Sequence, residues 1–223
     1  MIVKQKTRWT GILILIGMVA GIFSVAPAID SPNYLSEGAT NFNQVIIAAI
    51  FQLLMSLAYI GIAIFLFPII RQTSIHLSVG FLSFRIIAVT LSFLGTLLLL
   101  STLILSQDFV TQSAPNLAFY ETFGHLLKST RDYINHIFMV IVLCLGNVLL
   151  YVSFIKTKLI PEWLSIWGIF SCCLSILASL LVLFGMIEII TSEYLLLNAP
   201  TGLQELVLAF WFIFKGLNNK IQK

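Results

Sequence analysis

The sequence predicts an all-α polytopic membrane protein, a six-transmembrane-helix bundle with both termini cytoplasmic. Three observations carry that expectation. The 223-residue chain is 59% hydrophobic and only 9% charged, whereas soluble domains carry about 25% charged residues. Its apolar residues gather into six stretches of a length near the ~20 residues that cross a bilayer. Basic residues collect in alternate connections between those stretches, which orients the bundle by the positive-inside rule. Strict apolar–polar alternation is absent from the stretches, which argues against a barrel. The chain reads as one transmembrane domain, 1–223, with no soluble domain and no repeat.

The first span is expected at Trp9–Ala26, behind Lys4, Lys6 and Arg8. Its basic start and the following Ala26-Pro27-Ala28 imitate a signal peptide. The apolar run is longer than the ~7–15 residues of such a segment, so a retained helix is expected. Gly17 and Gly21 permit close helix packing and are expected to pack within the bundle.

The second span, Gln44–Phe67, carries Gln52, Ser56 and Tyr59 at i, i+4 and i+7, one helix face. That face should turn away from lipid. Interhelical hydrogen bonds, worth about 0.6 kcal/mol each, are its simpler use; a functional polar cluster is the sharper one. The third span, Val79–Leu105, is unusually long and has Arg85 in its first turns. Arg85 is expected to snorkel to the cytoplasmic interface, the alternative being a buried pair with a carboxylate.

Ser106–Tyr133 is expected outside. After Pro115, the residues Leu117, Tyr120, Gly124 and Leu127 recur at helical spacing, which fits a short helix lying on the outer surface. The fourth span is expected at Ile134–Ile155. Asp132 and His136 share a face there at i, i+4. With His125 and Glu193 they offer the elements of an outer-face metal site, but zinc sites use three or four well-spaced ligands and no compact motif is present, so no metal is expected. Asn147, after Gly146, reads as a helix–helix contact.

The fifth span is expected at Trp163–Gly185 and the sixth at Leu196–Lys215, the latter holding Glu205. Two readings of Glu205 stand side by side. If the helix begins near Leu196, the carboxylate lies about midway across, where an acid costs roughly 2.5–3.5 kcal/mol and marks function by default. If it begins at Thr201, Thr201 and Gln204 form a capping pair and Glu205 sits where the helix dipole favours an anion. Gln52 lies at a comparable depth and is the expected partner, with the second and sixth spans packed together.

Lys4, Lys6, Arg8, Arg71, Arg85, Lys156, Lys158, Lys215, Lys220 and Lys223 fall on one side. Lys128 and Arg131 fall on the other, with Asp30, Glu37, Asp108, Glu121, Asp132, Glu188 and Glu193. Trp9, Trp163 and Trp211 lie towards the basic ends of their spans, and Tyr34, Tyr133 and Tyr194 towards the opposite ones, as interfacial belts do. Cys144, Cys172 and Cys173 sit in apolar runs and read as buried free thiols. The net charge of +3 points to no nucleic-acid partner.

The run LNAPTGLQELVLAFWFIFKGLN resembles the C-terminal signature of the DUF4386 family of bacterial membrane proteins. So do IAIFLFPIIRQ, GFLSFRIIAV, LSQDFV and KTKLIPEWLSIWGIF, in the family's order. The resemblance implies a six-helix membrane protein with no assigned activity. Relatives often carry an acid three residues after the third-span arginine, where this chain has Ala88; the final-span carboxylate is kept as Glu205.

The functional expectation is therefore a bundle in the cell (cytoplasmic) membrane that binds or transports a small solute, lipid or proton around Glu205, Gln52, Ser56 and Tyr59. Arg85, Asp132, His136 and Asn147 are secondary candidates. The alternative is a structural or regulatory protein acting through partner contacts, with a membrane enzyme a more distant third. No cofactor and no catalytic residue is expected. Membrane lipids are the expected partners, together with a small-molecule ligand whose identity the sequence does not indicate.

Overall fold

A computed structural model describes residues 2–112, 116–189 and 191–218. Lys220, Lys223 and Pro115 lie outside the described residues. Within these, the chain is helical and no strand occurs. Six helices are long and apolar enough to cross a membrane, so the chain is a multi-pass membrane protein.

Helix α1 (Ile2–Phe23) leads to two short helices, α2 (Pro27–Asp30) and α3 (Tyr34–Thr40). Then come α4 (Phe42–Arg71), α5 (Ile75–Thr111), α6 (Leu117–Tyr133), α7 (Met139–Thr157), α8 (Glu162–Leu183) and α9 (Ser192–Phe214). The helix ends follow local chemistry. Ser74, Asn116 and Thr191 cap α5, α6 and α9 by accepting from the backbone N–H of Leu77, Phe119 and Tyr194. Lys158 ends α7 in the left-handed conformation at φ 55°, and Pro161 precedes α8.

The spanning helices form a closed ring, each packed on its neighbour in the order α1–α4–α5–α7–α8–α9 and back to α1. α4 also touches α7 across the middle. The outward faces are apolar: Ile22 is 71% exposed and Phe214 72%. Ser56, Ser92, Ser175, Ser179 and Thr102 are buried inside. Lipid can solvate the former, while the latter find partners only within the ring. Gly17 and Gly21 face Tyr59 and Met55 of α4, inside the bundle as expected.

Several boundaries depart from the sequence reading. α6 does not lie flat on a surface. It runs into α7 through a π-helical turn, Ile134–Phe138, so the fourth span is continuous over Leu117–Thr157, 41 residues. No Pro or Gly occurs over 125–145, so neither residue type breaks the helix where α6 would have to turn onto a surface. At 1.5 Å per residue, α5 and this continuous helix are about 55–60 Å long, well beyond a hydrocarbon core of about 30 Å. Their overhang carries α2 and α3 as a cap at the end away from the termini. Arg131 forms that cap's ion pairs, with Asp30 of α2 and with Asp132 at 2.8 Å. Lys128 donates to the Ser31 carbonyl at 3.1 Å and lies over the Tyr34 ring. Tyr34 and Tyr194 are accordingly buried in packing and are not interfacial anchors; Tyr133 is exposed. Cys144 and Cys172 are buried free thiols, but Cys173 faces outward.

Candidate functional site

Glu205 lies well inside α9, because the helix starts at Ser192 under the Thr191 cap, earlier than either expected start. The capping-pair reading of Thr201 and Gln204 is thereby overturned. Both are mid-helix: Thr201 bonds Ser175 and the Ser171 carbonyl, at 2.7 and 3.0 Å. Gln204 accepts from the Tyr151 hydroxyl at 2.7 Å and donates to the Leu164 carbonyl at 3.3 Å. These bonds stitch α9 to α8 and α7 and fix the rotation of α9 that turns Glu205 inward.

Arg85 is not at an interface. It is 4% exposed, and its Nη2 donates to Asn147 Oδ1 at 2.6 Å across the α5–α7 contact. Its guanidinium lies 5.4 Å from the Tyr59 and Phe81 ring centroids, in cation–π range. The snorkelling expectation fails because Arg85 stands on the inward face of α5, in register with buried Ala88, Ser92 and Thr96. Asn147 is thus the helix–helix contact expected of it, made to a charged group, and it lines the same cavity as Glu205. Arg85 and Glu205 do not touch directly; the ion pairs within 4 Å among the described residues are those of Arg131.

A small cavity of about 20 Å³ opens between these groups, which is room for one water. Arg85, Asn147, Glu205, Tyr59 and Tyr151 form its polar side. Ile14, Ile62, Leu66, Leu150, Leu208 and Phe212 form the apolar remainder, towards the basic end. The Nε of Arg85 is buried with no hydrogen-bond partner among the described residues. A buried unpaired donor costs about 1–3 kcal/mol, more when charged. The site thus presents an unused donor, a nearby carboxylate and space between them.

Gln52 and Ser56 are brought elsewhere. Gln52 donates to the Ser92 carbonyl and to Asn135 Oδ1, each at 3.3 Å, and Ser56 donates to Ser92 Oγ at 2.8 Å. The expected Glu205–Gln52 contact is not found: α1 stands between α4 and α9 in the ring, and the deeper Glu205 comes opposite Tyr59, about two turns further along α4. Asn135 projects from the π-helical turn into space that a side chain at Gly95 would fill. His136 Nδ1 lies 3.2 Å from the Tyr194 hydroxyl, and Asp132 pairs with Arg131; His125 and Glu193 are exposed. Among the described residues no three metal-ligating side chains come together.

The sequence reading does not single out Tyr151 or Asn135, and it gives Gln204 only as half of a capping pair, not as the partner of Tyr151. Asn135 could not be found from sequence, because only the extra residue of the π turn aims it inward.

The family model described as "Domain of unknown function (DUF4386)" matches residues 9–216. Neither the curated proteins nor the solved structures provide a match.

Proposed function

We propose, from the premise that this chain belongs to the DUF4386 family, that it binds a small polar solute inside its helix ring, as a transport-like bundle. The carrying observation is the Arg85–Asn147–Glu205 constellation, drawn from three helices and facing a cavity with one donor unused. Ionisable groups in membrane helices are expensive and mark solute or ion pathways by default. The apolar wall of the cavity points towards the end bearing the termini, which we assign to the cytoplasmic side of the cell membrane from its basic residues. The proposed solute route enters from that side.

A structural role, in which the charges fix helix register, is favoured by the small volume of the cavity, which admits water but no larger solute without widening. Thiol labelling separates the two. In a background lacking the native cysteines, Leu208→Cys places a thiol in the cavity wall. A small charged methanethiosulfonate applied from the basic side should modify it. Protection from both sides would leave the structural reading.

A further inference from the structure

We propose that the π-helical turn Ile134–Phe138 is the outer gate of the solute route, closed in this structure, and that loosening it opens the Glu205 cavity to the side away from the termini. This rests on the solute-site reading above and adds the second opening that transport through the ring requires.

The backbone of the turn shows its inserted residue: the Met139 N–H donates to the Ile134 carbonyl, five residues back. Wide turns of this kind inside α-helices recur at functional sites. This one is tied to α4, α5, α8 and α9 at once. Asn135 Oδ1 accepts from Gln52 of α4 at 3.3 Å, and the Asn135 amide fills the notch that Gly95 leaves in α5. Ser179 Oγ of α8 donates to the His136 carbonyl at 2.9 Å, and His136 Nδ1 lies 3.2 Å from the Tyr194 hydroxyl of α9. In the ring α5 and α8 are the neighbours of α7, so α4 and α9 are reached only past them. Bonds that pass a neighbour on both sides run across the interior. Gln52 and Tyr194 are accordingly 5% and 7% exposed. The remaining helix, α1, packs Gly21 against Met55 of α4.

The turn is also coupled to the cavity. Met139, the residue that follows it, clusters with Ala20, Met55 and Ala88. Tyr59 packs against that cluster and lines the cavity as well. From Gln52 to Tyr59 is about 10 Å along α4, at 1.5 Å per residue. Methionine is unbranched and repacks readily, so the filling between turn and cavity yields once the turn above it moves. Hydrogen bonds have a geometry to lose, and they make the turn the fixed part of the closure. The opposite wall, towards the basic end, is formed by Ile14, Ile62, Leu66, Leu208 and Phe212. One end of the route is thus held by polar bonds across the ring, and the other by apolar packing.

The Leu208→Cys thiol tests the gate, in the background lacking native cysteines, with membranes sealed in each orientation. The outer side is the one from which Gln112→Cys reacts. With the turn intact, a small charged methanethiosulfonate should modify Leu208→Cys from the basic side only. Asn135→Ala combined with Tyr194→Phe removes both crossing bonds. It should raise the outer-side rate about tenfold or more, the factor that two ordinary hydrogen bonds are worth, with the basic-side rate unchanged. Gly95→Ala displaces the Asn135 amide and should act in the same direction. Tyr194→Phe alone removes one hydroxyl oxygen; it should raise the rate about threefold, and it supplies a folded variant if the others do not fold. Asp30→Asn loosens the cap without touching the turn and should leave the outer-side rate as it was. Outer-side labelling with the turn intact overturns the gate. So does outer-side labelling that stays at background in every folded turn variant, or that Asp30→Asn raises as much. In each of these cases basic-side labelling still upholds the solute site. No labelling from either side in any variant overturns the solute site, and the gate with it.

Discussion

Arg85 Nη2 and Asn147 Oδ1 stand 2.6 Å apart in the middle of the ring, joining α5 to α7. The bond sets the guanidinium and Asn147 side by side in the wall of the cavity that Glu205 also lines. Asn147→Ala should therefore leave a buried guanidinium without its side-chain acceptor. We expect a loss of about 2–4 kcal/mol, above the ~1 kcal/mol of an ordinary hydrogen bond. Thermal unfolding in detergent by intrinsic fluorescence checks this. A loss near the ordinary value would mean that the guanidinium does not depend on Asn147.

Arg85→Lys should not be tolerated as a conservative change. A lysine cannot keep a planar donor at Asn147 while lying against the Tyr59 and Phe81 rings. Stability should fall by about 1–3 kcal/mol, and a neutral outcome in the same melt would return Arg85 to an interfacial role.

Gly168 lies where a Cβ would come within 2.5 Å of the Tyr151 ring. Gly168→Ala should push Tyr151 off the Gln204 amide and loosen the seam that orients Glu205, at a cost of about 1–3 kcal/mol. Tyr151→Phe removes the same bond without the clash and should cost less. Equal effects would show that the hydroxyl, and not the ring position, matters.

At the other end, the Arg131 side chain is 10% exposed, against 28% for Asp30 and 23% for Asp132. Arg131→Gln leaves two partly buried acids facing each other and should cost about 3–5 kcal/mol. Asp30→Asn leaves Arg131 one carboxylate and should cost much less. The reverse order in thermal unfolding would argue that α2, and not Arg131, holds the cap.

The orientation assigned from basic residues has its own test. In intact cells, with native cysteines removed, Gln112→Cys should react with an impermeant thiol reagent and Lys215→Cys should not. The opposite pattern would invert the bundle.

The six spans were legible because lipid-facing helices must be apolar around most of their surface, a signal that survives without neighbours. Glu205 and Arg85 were legible as anomalies for the same reason. Their partnership was not. Arg85 reads as an interfacial residue until the rotation of α5 is known, and that rotation is set by buried Ala88, Ser92 and Thr96. Glu205 was matched to Gln52 by depth alone, which depends on where α9 begins; the Thr191 cap moves that start and with it the partner. The continuity of α6 with α7 was hidden because Glu121, His125, Lys128 and Arg131 look like a loop's composition, yet they decorate a helix that overhangs the bilayer-length part of the ring.

The central claim is that Arg85 and Glu205 act as one unit across the cavity. A double-mutant cycle measures it most directly, with Arg85→Gln, Glu205→Gln and the pair compared by thermal or denaturant unfolding in one detergent. The account predicts a coupling of about 1 kcal/mol or more, the double variant being more stable than the sum of the single losses allows. Strictly additive losses would mean that the two charges do not sense each other, and would contradict it.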